Sequence, residues 1–251
     1  PATDTRAGVG NAMVDSDPRF KVFRAFNLPE LAPRARLRKH MAARALPAFE
    51  GAGPATRLAR ALADHHALAV KEVVESFEFH YRVRRRLRGP RMADLCAGHG
   101  LVGLLFATER VVEHVLLVDR VRPPAFGRAL AAVASVFPQV RDKVEFVEAD
   151  VRTVELSPGT RSVAVHACGE ATDACLDRAI AARGAIAVMP CCYQNAGRDA
   201  PTGLRGALGA QTATDVHRTY RLEEEGFAVD WTAVPAAVTP MNRILLARPR
   251  G

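Results

Sequence analysis

The side chains of this chain best suited to chemistry fall in three clusters. The first is Met92-Ala93-Asp94-Leu95-Cys96-Ala97-Gly98-His99-Gly100-Leu101-Val102-Gly103, an apolar run broken by Asp94 that enters a glycine turn. Helical apolar spacing then resumes at Leu101, Leu104 and Leu105. A strand, tight turn and helix of this kind lets backbone approach a ligand in conformations that a β-carbon forbids, while the helix N-terminus offers unpaired N–H groups. The second cluster is a pair of acids, Asp119 and Asp150, each closing an apolar run. The third joins His166-Ala167-Cys168-Gly169-Glu170-Ala171-Thr172-Asp173 to Pro190-Cys191-Cys192-Tyr193, which together carry an imidazole, thiols, carboxylates and a phenol.

The turn alone does not name its ligand. Gly98-His99-Gly100-Leu101-Val102-Gly103 satisfies G-x-G-x-x-G, and Asp119 follows near the spacing of a ribose-binding acid, so a nicotinamide-dependent oxidoreductase is one reading. Asp94 inside the first strand and Asp150 at the end of the third favour another.

The elements that must position these groups follow from periodicity. Residues 1–17 lack apolar spacing and read as a mobile tail. Residues 18–90 read as a basic helical region: an amphipathic helix of about four turns between Leu28 and Leu46, then helical stretches from Ala55 to Leu87 around a gap at His65-His66. Residues 91–251 read as an α/β domain. Its short apolar runs at Val115–Val118, Val144–Ala149, Ser162–Val165 and Ala185–Met189 are mostly separated by helical patterns, including one from Thr172 to Ala182 capped by Gly184. That alternation predicts a parallel sheet covered on both faces. The stretch from Gln194 to Ala210 reads as a lid, and a helix runs from Thr214 to Glu225 with Gly226 as its left-handed cap. Two final strands with no helix between them, Phe227–Val234 and Arg243–Ala247, read as an antiparallel pair.

Composition sets the outer bounds. The 251 residues contain no apolar run long enough to span a bilayer and no secretory pattern, so a cytoplasmic protein with no membrane partner is expected. Five cysteines, an odd number without framework spacing, read as reduced thiols. Residues 1–91 hold 18 Lys or Arg against 9 Asp or Glu, whereas residues 92–251 hold 17 against 18, so the net charge of +8 lies wholly in the N-terminal part. Six of residues 81–91 are arginine, among them Arg85 and Arg86, and the functional reading of that run is a phosphate-binding stripe for an RNA substrate. Cations complementing a helix C-terminus are the structural alternative.

The order acid, glycine turn, acid, acid resembles class I S-adenosyl-L-methionine (SAM) methyltransferases. More specifically, the segments H-x-C-G-x-x-T-D and C-C-Y resemble a methyltransferase family that includes the eukaryotic tRNA acceptor-stem 2′-O-methyltransferase. The resemblance implies a Rossmann-like seven-stranded methyltransferase sheet, here with an N-terminal helical extension, and SAM as cofactor. It implies that Asp94, Cys96, Gly98 and Gly100 hold the methionine part, Asp119 the ribose, and Asp150 with Val151 the adenine. Cys96 departs from the family turn, where a glycine is common. His166 and Tyr193 are the candidate catalytic residues, with His166 also against the cofactor. Cys168, Asp173, Cys191, Cys192 and Tyr193 are candidates for the acceptor side. No metal site is expected, because adjacent cysteines seldom chelate one tetrahedral ion and no C-x-x-C pair occurs.

Overall fold

Alternate residues of a strand leave the sheet on opposite faces, and here both faces are apolar. In β1 (Arg91–Leu95) Met92 joins one buried cluster while Ala93 and Leu95 join the other. In β7 (Arg243–Pro249) Ile244 and Leu246 likewise oppose Leu245 and Ala247. Such a sheet has to be covered twice. The computed structural model, which describes residues 18–42, 47–193 and 200–250, has this α/β architecture.

The remaining strands are β2 (His114–Asp119), β3 (Val144–Glu148), β4 (Arg161–Val165), β5 (Ile186–Met189) and β6 (Phe227–Ala233). Their order is β3-β2-β1-β4-β5-β7-β6, parallel from β1 to β5, with β7 antiparallel to both of its neighbours. This is the Rossmann-like seven-stranded sheet expected, including its reversed strand. Helices α1 (Pro54–Asp64), α2 (Val70–Val83), α3 (Leu101–Ala107), α4 (Pro124–Val136) and α5 (Val140–Lys143) cover one face; α6 (Glu170–Ala181) and α7 (Thr202–Glu224) cover the other.

Residues 18–90 do not stand apart from this sheet. Helix α1 packs on α4 and α2 on α3, and Phe20, Phe23, Phe26, Phe49 and Phe77 bury in the same apolar cluster as Met92, Val115 and Leu246. Phe23 meets Phe49 and Phe77 edge to face at 4.6 and 5.1 Å. The gap between α1 and α2 falls at His65-His66, as expected.

Three elements differ from the sequence reading. In place of the four-turn helix between Leu28 and Leu46 there is a 3-10 turn at Ala32–Arg36, preceded by another at Arg24–Asn27, because Pro29 and Pro33 interrupt the N–H ladder. Beyond them the backbone pairs with the entry to α2: Met41 N–H donates to Leu68 O at 2.9 Å and Lys71 N–H to Leu37 O at 3.0 Å. Helix α7 starts at Thr202, inside the expected lid, and is broken only at Gly209 (φ 75°); residues 194–199 of that lid, 43–46 of the expected helix and the 1–17 tail lie outside the described residues. After α6 the left-handed residue is Arg183 (φ 49°), not Gly184. Gly184 is required for another reason, since a β-carbon there would sit 1.8 Å from Thr160 O. Gly226 (φ 81°) ends α7 as expected. Among the described residues no helix is long and apolar enough to cross a membrane.

Candidate active site

The strand order reverses between β1 and β4, and an open α/β sheet leaves its ligand crevice at such a switch point, outside the carboxyl ends of the strands. A cleft of about 870 Å³ lies there. Asp94, Cys96, Gly98, Asp119, Asp150, Val151 and His166 all line it, as do Cys168 and Cys192.

The turn between β1 and α3 depends on left-handed backbone at Cys96 (φ 58°), Gly98 (φ 52°) and Gly100 (φ 70°). At Gly100 a β-carbon would fall 2.7 Å from Leu117 Cδ2, so glycine is needed for space as well as for conformation, and its role is in the turn rather than in the cleft wall. Cys96 holds a conformation that costs roughly 1–2 kcal/mol for a residue with a β-carbon. Hydrogen bonding to the Cys175 thiol lowers the Cys96 thiol below its ordinary range.

Two acids tie this turn down. Asp119 Oδ2 accepts the Gly98 N–H at 2.7 Å, and Asp94 Oδ2 accepts the Gly103 N–H at 2.8 Å. Asp94 is 2% exposed, and burial pushes its carboxyl up to about 7, with the Gly103 bond opposing and the Asp119 charge adding. Asp150 is different: it is solvent-facing, and the Arg152 side chain grips both its oxygens at 2.9 and 2.7 Å, holding the carboxyl well below its usual range. His99 accepts the Leu101 N–H at Nδ1, 3.1 Å away, and burial lowers its basicity.

His166 (φ 63°) follows β4, and its Nε2 lies 2.6 Å from Glu75 Oε2. Lys71 Nζ stands 2.6 Å from the same oxygen and 3.0 Å from Nε2. Two lone pairs would repel at 2.6 Å, so Nε2 carries a proton and donates it to Glu75. Burial raises the Glu75 carboxyl, but His166 and Lys71 outweigh it and leave the group below its ordinary value. Lys71 and Glu75 were not singled out from sequence. Their i, i+4 spacing reads as an exposed helix pair, yet the Glu75 side chain is only 4% exposed.

Other expected site residues lie elsewhere. Tyr193 donates its hydroxyl to Asp215 Oδ2 at 2.8 Å, and burial together with the Asp215 charge raises its phenol, so it is held as a donor outside the cleft lining. Asp173 takes Arg218 Nε and Nη2 at 2.8 and 2.7 Å. Arg218 and Arg243 both reach buried Asp215, so Tyr193 and Asp173 belong to an ion network joining α6, α7 and β7. Cys191 also lies behind the lining. The 81–91 arginines are not at the mouth. Arg86 pairs with Asp230 on β6 at 3.0 Å, Arg82 with Glu78, and Arg84 with Glu109, while Arg85 is exposed at the far end of α2, about 20 Å along the helix from Lys71.

A family model described as a methyltransferase domain matches residues 65–198, just over half of the chain. The chain belongs to the methyltransferase-domain family. A glutathione S-transferase C-terminal domain-containing protein of Xenopus laevis is 33% identical over 105 residues, 42% of this chain and 16% of the relative, so the chain spans less than a fifth of that protein's length. Among solved structures, a Clostridium thermocellum protein described as a candidate rRNA methylase is similar in fold with TM-score 0.50 and 12% identity, covering 70% of this chain and 95% of its own. Magnesium protoporphyrin IX methyltransferase of Synechocystis, solved with bound SAM, has TM-score 0.46 and 15% identity over 91% and 95% of the two chains.

The buried Asp94 carboxyl makes a pH prediction. With its folded value near 7, the native protein keeps a proton there that the unfolded chain releases from about pH 4 upward, so stability falls as pH rises through that window. Urea midpoints taken at about pH 5 and about pH 8 are expected to drop more steeply in the native protein than in Asp94→Asn; parallel changes in the two would show an ordinary carboxylate.

Proposed function

We propose that the cleft binds SAM and that the protein transfers its methyl group to RNA. The observation that carries the reading is the convergence of Asp94, Asp119 and Asp150 on one cleft around the Gly98 turn. Its volume lies within the roughly 300–1,000 Å³ usual for small-ligand pockets. In this reading Asp119 receives the ribose hydroxyls with the lone pairs left over from Gly98, Asp150 and Val151 take the adenine, and Asp94 with the turn faces the methionine part. The bound donor supplies an activated methyl group. The chain's own work is to align the acceptor, exclude water and take a proton. With Nε2 donating to Glu75, His166 Nδ1 is the ring nitrogen left to take that proton, and Glu75 and Lys71 hold the ring.

The RNA part rests on a cationic segment other than the 81–91 run. Arg34, Arg36, Arg38 and Lys39 are exposed, none has an ion-pair partner among the described residues, and Arg38 lines the cleft. Backbone bonds between residues 37–41 and the chain around the start of α2 hold the stretch that carries Arg38 to the cleft wall. The H-x-C-G-x-x-T-D and C-C-Y segments resemble a methyltransferase family that includes a tRNA 2′-O-methyltransferase and proteins without a settled substrate, which supports the same acceptor class.

Calorimetry with SAM, S-adenosylhomocysteine and NAD in parallel tests the cofactor. Binding of the first two is expected, weakened about 10- to 100-fold in Asp119→Ala by loss of charge-assisted hydrogen bonds; binding of NAD alone would replace the reading with an oxidoreductase. Glu75→Gln is expected to lower labelled-methyl transfer about 100-fold at saturating SAM while leaving S-adenosylhomocysteine affinity intact. An unchanged rate removes the pair from the chemistry. For the acceptor, transfer of labelled methyl to total RNA, protein and metabolite pools identifies the class, with RNA expected. The double change Arg36→Glu and Arg38→Glu should abolish tRNA retention on filters and flatten its salt dependence; retention equal to the native chain, or label in the metabolite pool only, rejects RNA.

A further inference from the structure

Three thiols meet beside the cleft. Strands β4 and β5 are neighbours, and their pairing continues past the strand ends: His166 N–H donates to Met189 O at 3.0 Å and Gly169 N–H to Cys192 O at 3.1 Å. These bonds bring the two loops side by side. Cys191 Sγ lies 3.4 Å from Cys168 Sγ and 3.5 Å from Cys192 Sγ, and all three sulfurs fall within 4.8 Å of one another.

Adjacent residues on extended backbone send their side chains to opposite sides, which is why Cys191 and Cys192 were not expected to share an ion. Here the backbone has already turned both sulfurs to one side. Thiolates about 2.3 Å from zinc at tetrahedral angles lie about 3.8 Å apart, close to the separations found. A disulfide bond of about 2.0 Å is absent, and all three cysteines are free.

We infer that Cys168, Cys191 and Cys192 form a three-thiolate site for zinc, a soft-ligand cation site at the acceptor side of the methyltransferase cleft. Binding replaces three S–H bonds with three Zn–S bonds and releases the protons to solvent, with no change of oxidation state. Three protein ligands leave a fourth position, and since Cys168 and Cys192 line the cleft, that position is reached from it by water or by an acceptor atom. The site is independent of which molecule is methylated.

Cobalt(II) titrated into the reduced, chelator-treated chain reads the site directly. One equivalent is expected to bind with near-ultraviolet sulfur-to-cobalt charge transfer and visible bands of tetrahedral intensity, both abolished by zinc. Cys168→Ser, Cys191→Ser and Cys192→Ser should each weaken binding by at least about 100-fold, the upper end of what losing an outer partner alone costs. Cys175→Ser, whose sulfur is buried against Cys96, should retain the signal. Absence of the charge-transfer band from the native chain overturns the assignment, as does a band that survives all three single changes, or a native disulfide among the three. Because the readout is spectroscopic, it stands or falls apart from the SAM and RNA readings.

Discussion

The site rests on the pairing of one turn N–H and one N–H from the first turn of α3 with two carboxylates on neighbouring strands. Gly98 N–H to Asp119 and Gly103 N–H to Asp94 hold the β1–α3 turn against β2 and into the N-terminal end of α3. Each glycine answers a separate demand. Gly98 and Gly100 supply left-handed backbone, Gly100 also clears Leu117, and Gly103 lets the helix come within contact of Asp94, where a β-carbon would lie 3.0 Å from Asp94 Cβ. The same acids that shape the turn thus also line the cleft. Asp94 carries the strain of this arrangement, being buried beside another carboxylate with one hydrogen bond and no cation among the described residues. Perturbed acids of this kind concentrate at functional sites.

Burial separates the acids into two kinds. Asp94 is shielded and its proton is held tightly; Asp150 is open to solvent and its charge is fixed by Arg152. A donor with an amino acid at one end and an adenine at the other would meet different environments along one cleft. Glu75, which also lines the cleft, keeps its charge despite burial because Lys71 and His166 share one of its oxygens.

Much of this was legible in the chain because the glycine turn and its acids are local: strand, turn and acid follow one another within a few residues, and periodicity marks each strand end. The groups that were not legible depend on distant partners. Tyr193 and Asp173 look available until Arg218 and Asp215, on a helix far along the chain, claim them. Lys71 and Glu75 look like a solvated pair until β4 brings His166 against them. The early start of α7 left no trace in apolar spacing, since residues 202–210 bury no side chain. The run of prolines and arginines from Leu28 onward had a helical spacing of leucines, but Pro29 and Pro33 remove N–H donors that a helix of that length requires.

That same departure from helix gives the N-terminal segment its place in the site. A helix between Leu28 and Leu46 would have satisfied its own backbone and had no reason to pair with α2. Extended at residues 37–41, it instead exchanges hydrogen bonds with Leu68, Val70 and Lys71, and two consequences follow from one strip of pairing. Arg38 is carried to the cleft mouth, and the first turn of α2 is anchored where Lys71 and Glu75 meet His166. The family match begins only at residue 65, so the cation at the mouth comes from sequence upstream of the shared domain while the groups behind it come from within. Arg38 and the Lys71–Glu75–His166 contact therefore share one anchor, the entry to α2, and a change that loosens residues 37–41 acts on both.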